Sequence, residues 1–547
     1  MSAERPENPA PAESTTEPVE SAEAAGHVRS ADSARPDGTS APEETAKPEE
    51  TVAPDDADGA DDARGLRTVV LSSLLGTTVE WYDFFLYSTA AGLVFGELFF
   101  PTGNGTVGTM LSFATFAVGF LARPVGGLLF GHIGDRIGRK RTLAFTMSLM
   151  GVSTALIGVL PTYEQAGLLA PALLLVLRIA QGVALGGEWA GAVLLAVEFG
   201  PKGRKGRFGS YPQIGLALGL ALGTGAFALL NNVLSDEAFL GYGWRVAFLV
   251  SLVLVAVGLT VRLKIDETPA FKAVRRLREL PRSAPLVELL RERPSRRHVG
   301  LGMLARWGEG AAFNTWGVFA LTYATTTLKL DRTAVLLSVT AAAVVMAVAI
   351  PVSGSLTDRQ GARHVYFVGM GLFALSVFPA FWVFSLGGTW AFAAVLVVTL
   401  GLVHAYFYGA QGTLFAALFA TQVRYTGMSF VYQMSGIFAS GITPLIMTAL
   451  LALGGGSPWW ACGYLALTAL VSMWATARLR ERDLYVVTGG GAQGGPHGSR
   501  PAVSGEQRAD QHRPGARQSE ERQSDERQSD GRSEEPQPDG PHATLLR

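Results

Sequence analysis

The chain has 547 residues, 48% of them apolar, and a formal net charge of −1, with a mean hydropathy of +0.26. Both ends are strongly polar, so the middle is far more apolar than that mean; this excludes an ordinary soluble protein and fits spans of about 20 residues through a hydrocarbon core about 30 Å thick. The basic residues flank apolar runs instead of forming a base-reading patch, and the single cysteine, Cys462, leaves no intrachain disulfide or Cys-based metal site to build.

In chain order, residues 1–62 are rich in Ala, Glu, Pro, Ser and Thr without aromatics, which predicts a disordered acidic tail. They lack the apolar core of a cleavable signal peptide. Apolar runs follow near 68–96, 107–130, 142–160, 166–197, 208–233 and 245–263, forming a first six-helix bundle over 63–263. A densely basic segment, 264–298, leads to a second bundle over 299–480, with runs near 299–325, 334–356, 364–386, 389–419, 426–452 and 459–477. Residues 481–547 are Gly-, Gln-, Arg- and Ser-rich and predict a second disordered tail. The expected fold class is an all-α membrane protein of twelve transmembrane helices in two six-helix halves.

Lys and Arg crowd alternate loops: Arg136, Arg139, Lys140 and Arg141 after the second run, Lys202, Arg204, Lys205 and Arg207 after the fourth, and the 264–298 segment after the sixth. By the positive-inside rule both termini are cytoplasmic, in a multi-pass protein of the cell membrane. "GHIGDRIGRK" at 131–140 recurs in weaker form as "GSLTDRQGAR" at 354–363, each copy after the second run of its half. That repetition supports the two-half design.

Ionisable side chains inside apolar runs are costly and usually face a bundle interior or a wet cavity. The first run carries Glu80 and Asp83, with Tyr87 on the same helical face. Two close carboxylates in low dielectric do not both ionise easily, which suits proton coupling, Asp83 above Glu80. The alternative is that Glu80 pairs with a bundle arginine. Arg123 lies in the second run and Arg178 in the fourth, with Gln181 and Glu188 on nearly the same face as Arg178. A guanidinium suits a carboxylate bidentately, so either arginine could hold an anionic or zwitterionic substrate; topology or interhelical pairing is the competing role for Arg178 and Glu188. Arg306 and Glu309 stand at i, i+3 in the seventh run, where mutual pairing is the slightly favoured reading. His404 in the tenth, with Tyr406, Tyr408 and Gln411, could line the cavity, although a lone His in an apolar helix is more often simply packed. "GLALGLALG" at 215–223 puts Gly215, Gly219 and Gly223 on one face, where another helix can approach closely.

From about 66 to 480 the sequence resembles the major facilitator superfamily, whose signature is the G-x-x-x-D-R-x-G-R-K loop at 131–140. "VEWYDFFLY" at 79–87, "RIAQGVALGGEWAGA" at 178–192 and "VRYTGMSFVYQ" at 423–433 look like its metabolite:proton symporter branch. The resemblance implies a cytoplasmic gate. Gly131, Gly134 and Gly138 would allow a tight turn. Asp135, between Gly134 and the arginines Arg136 and Arg139, would meet a basic residue or a helix N-terminus. Asp358 and Arg359 would do the same, more weakly, in the second half. Where this branch usually shows a Glu and a Pro before Arg424, the chain has Ala417 and Ala420; the first half keeps Glu198 and Pro201, so the second-half gate is held differently.

The resulting expectation is a secondary active transporter, not an enzyme, that takes up a small carboxylate-bearing metabolite or zwitterion with protons. It would act as a monomer in the bilayer, with no cofactor, metal or nucleic acid. A proton-driven exporter of a drug-like compound and a membrane sensor are the alternatives.

Overall fold

The computed structural model describes residues 56–137, 139–264, 289–421 and 423–485. The two predicted tails and most of the basic 264–298 segment therefore lie outside the described residues. The described residues form twelve helical rods, one for each apolar run. The first half holds α1 (Asp56–Leu93), α2 (Gly105–Ile137), α3 (Arg139–Gly158), α4 (Leu169–Ala184 and Glu188–Phe199, joined by a 3-10 turn), α5 (Lys205–Val233) and α6 (Trp244–Lys264). The second holds α7 (Arg293–Asn314, prolonged by π-helical turns), α8 (Arg332–Gln360), α9 (Ala362–Ser385), α10 (Thr389–Leu396 and Ala405–Ala417, through a π-helical stretch), α11 (Arg424–Gly436 and Thr443–Leu453) and α12 (Trp459–Arg478).

Among the described residues nine of these rods are long and apolar enough to cross a membrane on their own. The others, α1, α3 and α7, carry the charges that matter below or a basic first turn. Large apolar side chains such as Leu128, Val348, Leu375 and Trp390 are exposed on the outer surface. In water that would be a liability, but in lipid it is the expected face.

The halves meet along two seams, α5 against α8 and α2 against α11. The repeated motif ends α2 and α8, so α2 corresponds to α8 and α5 to α11. The two seams are thus one pairing seen twice. The predicted glycine face also finds its partner: a Cβ on Gly219 would lie 2.5 Å from Trp81 Cβ, and one on Gly215 would lie 2.8 Å from Thr77 Cβ. Only glycine lets α5 approach α1 this closely.

One expectation needs correcting. Gly131 and Gly134 do not form a turn, because α2 stays helical to Ile137; in the second copy α8 runs to Gln360. The turn is left to the last glycine of the motif, Gly361, at φ +86°. Without a proline or a capping side chain, nothing in "GHIGD" stops a helix that has already nucleated.

Candidate functional site

α1 brings Glu80, Asp83 and Tyr87 into the interior one turn apart; they are 7%, 1% and 0% exposed. Neither oxygen of Asp83 has a hydrogen-bond partner among the described residues. The hydroxyl beside it is Thr154 of α3. That hydroxyl donates to the Met150 carbonyl (2.9 Å) and accepts from Gln181 Nε2 (2.8 Å). Gln181 Oε1 in turn accepts from Arg178 Nη1 at 3.1 Å. A polar chain therefore runs from Arg178 to the edge of Asp83 without an ion pair.

Arg178 is 1% exposed, which favours an interior role over a topological one. Its guanidinium lies 4.1 Å from the Tyr87 ring centroid, and the Tyr87 hydroxyl pairs with Thr115 at 2.7 Å. Arg123 of α2 stacks on Phe120 (4.2 Å) and Phe84 (4.7 Å), and Nε and Nη2 have no hydrogen-bond partner among the described residues. Aromatic faces hold a guanidinium by cation–π attraction while leaving its in-plane donors available. Glu80 and Arg123 line one small compartment with Trp189, Tyr432 and Gln433.

The second half contributes Arg306, Glu309 and His404, 3%, 2% and 0% exposed. Arg306 and Glu309 do face one another, at 3.4 Å, and the second Glu309 oxygen lies 3.6 Å from His404 Nε2. His404 is both packed and placed: Phe407 and Tyr408 flank its ring. Tyr432 of α11 lies between the halves, stacked on Trp189 at 3.9 Å and under Arg306 at 3.9 Å. A second compartment joins Arg123 to Arg306, Glu309 and Asn314. Each compartment is closed down to about the room of a single water molecule.

Contacts between the halves close both ends. At the basic-loop end Arg424 Nη1 bonds Glu198 Oε1 at 3.0 Å, and Gln433 Nε2 donates to the Gly186 carbonyl at 2.8 Å. Asp358 accepts from the backbone N–H groups of Gly206 (2.6 Å) and Arg207 (3.0 Å), the N-terminus of α5. The helix N-terminus is thus its partner, and Arg359 is exposed. Where Ala417 removes a carboxylate, Arg424 takes Glu198 from the other half. At the opposite end Thr322 Oγ1 donates to the Gly92 carbonyl (3.0 Å) and Arg332 to Asn231 Oδ1 (3.2 Å).

The side chains of Asp135, Arg136, Arg139 and Glu188, the surroundings of Gly131, and Gly138 altogether lie outside the described residues. The sequence reading singled out none of Phe84, Phe120, Trp189, Tyr432 and Gln433 as site residues. The available signal was their place inside or near the quoted stretches, which hold Phe84, Trp189, Tyr432 and Gln433.

The family model described as "Sugar (and other) transporter" matches residues 68–299 and the one described as "Major Facilitator Superfamily" matches residues 303–504. The inner membrane metabolite transport protein YhjE of Escherichia coli (strain K12) is 40% identical over 69% of this chain and 86% of its own length. The shikimate transporter of the same strain is 37% identical over 76% and 94%. The glycine betaine/proline/ectoine/pipecolic acid transporter OusA of Dickeya dadantii (strain 3937) is 34% identical over 70% and 77%. Among solved structures, a D-xylose-proton symporter superposes with a TM-score of 0.60 over 75% of this chain and 96% of its own, at 16% identity, which speaks to the fold alone.

Proposed function

Because the chain belongs to the major facilitator superfamily, in its metabolite:proton symporter branch, we propose that this multi-pass transporter carries a small carboxylate-bearing solute into the cell together with protons. The solute is an organic acid or a zwitterion of the proline or betaine kind, and the protein works in the cell membrane with both termini in the cytoplasm.

The observation that carries this reading is the state of Asp83. A buried carboxylate needs either a cation or its proton, and among the described residues no cation bonds Asp83. The neighbouring Thr154 hydroxyl sits between the Met150 carbonyl and Gln181 Nε2 and keeps a lone pair that a protonated Asp83 can bond. Asp83 is therefore the proton carrier, linked through Thr154 and Gln181 to Arg178. Protonation and deprotonation at one end of that chain change what Arg178 meets at the other. Arg123 and Arg306 hold the solute's carboxylate from opposite halves, with Tyr432 between them. The Glu198–Arg424 pair and the Asp358 cap on α5 keep the cytoplasmic end closed, and they separate as the halves rock.

The test is uptake into proteoliposomes of labelled shikimate, proline and glycine betaine, with and without an imposed pH gradient. Accumulation should require an inward proton gradient and collapse with a protonophore. Asp83→Asn should lose gradient-driven accumulation at least tenfold while keeping solute exchange at no gradient. Accumulation by that variant at the wild-type level refutes the role of Asp83.

A further inference from the structure

Glu309 lies within ion-pair range of the cavity arginine Arg306, and it is held loosely. Charge-assisted hydrogen bonds run at about 2.7–2.9 Å; its contacts are 3.4 Å to Arg306 Nε and 3.6 Å to His404 Nε2. A buried ion pair repays its desolvation only with good geometry and further hydrogen bonds, and neither is present: Glu309 Oε2 and both ring nitrogens of His404 lack a hydrogen-bond partner among the described residues. Arg306 also reaches the Ser435 hydroxyl only at 3.4 Å. Across the same compartment stands Arg123, its Nε and Nη2 without a hydrogen-bond partner among the described residues. One carboxylate is therefore shared between two groups that each hold it poorly, facing a second arginine with donors to spare.

We infer that Glu309 is an internal competitor for the solute's carboxylate: the solute displaces it from Arg306, and His404 receives it. This deepens the reading of a carboxylate held by Arg123 and Arg306, and rests on it. The geometry permits the exchange without a long movement, because Glu309 already has one oxygen turned to each side. The neutral imidazole of His404 can donate its one N–H to the arriving carboxylate, so no proton need be added. The solute's carboxylate gains what Glu309 lacks, a second guanidinium to bridge to. The inference also assigns Glu309 away from the other role its charge would suit, binding the cationic nitrogen of a zwitterion.

Glu309→Gln keeps the shape and removes the competing charge. Shikimate, an acid without a cationic nitrogen, and glycine betaine, a zwitterion, serve as probes. The expected result is a fall of at least threefold in half-saturation for each transported probe, with a lower maximal rate, because the solute is then held on Arg306 without a rival to drive it off. His404→Phe, which removes the receiver, should raise half-saturation at least threefold with the same probes. A role of Glu309 in packing alone would lower the maximal rate without tightening half-saturation, and overturns the inference. So does a rise in half-saturation confined to glycine betaine, which would make Glu309 the cation site. If Glu309→Gln transports too poorly to measure, stabilisation of the purified protein against heat by each probe replaces uptake. The variant should reach half-maximal stabilisation at a concentration at least threefold lower than wild type, and an equal or higher one overturns the inference. Should neither probe bind wild type, the arginine-held carboxylate itself fails, a different result from normal binding that Glu309→Gln leaves unchanged.

Discussion

Replacing Asp358 by Ala should open the basic-loop end of the carrier by about tenfold to thirtyfold in equilibrium. The carboxylate accepts two backbone hydrogen bonds at the start of α5, from Gly206 at 2.6 Å and Arg207 at 3.0 Å. A hydrogen bond to a charged group contributes about 1.5–3 kcal/mol when it is shielded. Gly206 is buried, but Asp358 is only partly so and Arg207 is exposed, so solvent competes for the second bond and we count little for it. The remaining loss is about 1.5–2 kcal/mol, and each 1.4 kcal/mol is tenfold. Because Asp358 belongs to α8 and the capped helix to the other half, the loss falls on the closed arrangement and spares each half internally. A reporter can be placed at Val193→Cys: Val193 is fully buried, and its side chain meets Gly412 of α10 across the halves. The native Cys462 is buried in α12 and can be replaced by Ser to leave a single thiol. In membranes, the alkylation rate at position 193 should rise tenfold or more when Asp358→Ala is added. An unchanged rate, with protein folded and inserted normally, would refute the claim that this cap holds the end shut.

Two further outcomes follow from the packing. Gly219→Ala should lower thermal stability in detergent and cut uptake about tenfold or more, although alanine is the better helix former by about 1 kcal/mol. Its Cβ would sit 2.5 Å from Trp81 Cβ and 2.7 Å from the Tyr82 amide, in the helix that carries Glu80 and Asp83; overpacking costs about 1–3 kcal/mol and a shift of about 1 Å in α1 misplaces both carboxyls. Gly225→Ala on the same helix meets nothing nearer than 3.7 Å and should behave as wild type, so equal effects at the two positions would count against the close α1–α5 approach. Asp236→Asn should leave uptake within about twofold: its pair with Arg332 spans 3.6 Å and the side chain is 84% exposed, where ion pairs contribute little. A large loss there would mean that the outer closure depends on that pair more than on the Arg332–Asn231 bond.

What the sequence determined by itself was the set of spans and the charges inside them. Spanning is a matter of length and hydropathy within one segment, so all twelve rods stand where the apolar runs predicted them. Asp83, Arg123, Arg178 and Arg306 declared themselves by the cost of putting charge in lipid. The face of Gly215, Gly219 and Gly223 was legible for the same local reason, but not that α1 would fill it. Partnership was decided only by the tertiary structure. Among the described residues Gln181 meets Arg178; Asp83 ends beside the Thr154 hydroxyl; Arg424 crosses to Glu198; and Tyr432 lies between Trp189 and Arg306. Each depends on how rods distant in sequence turn about their own axes as the halves pack, and neither a hydropathy pattern nor a helical period carries that angle.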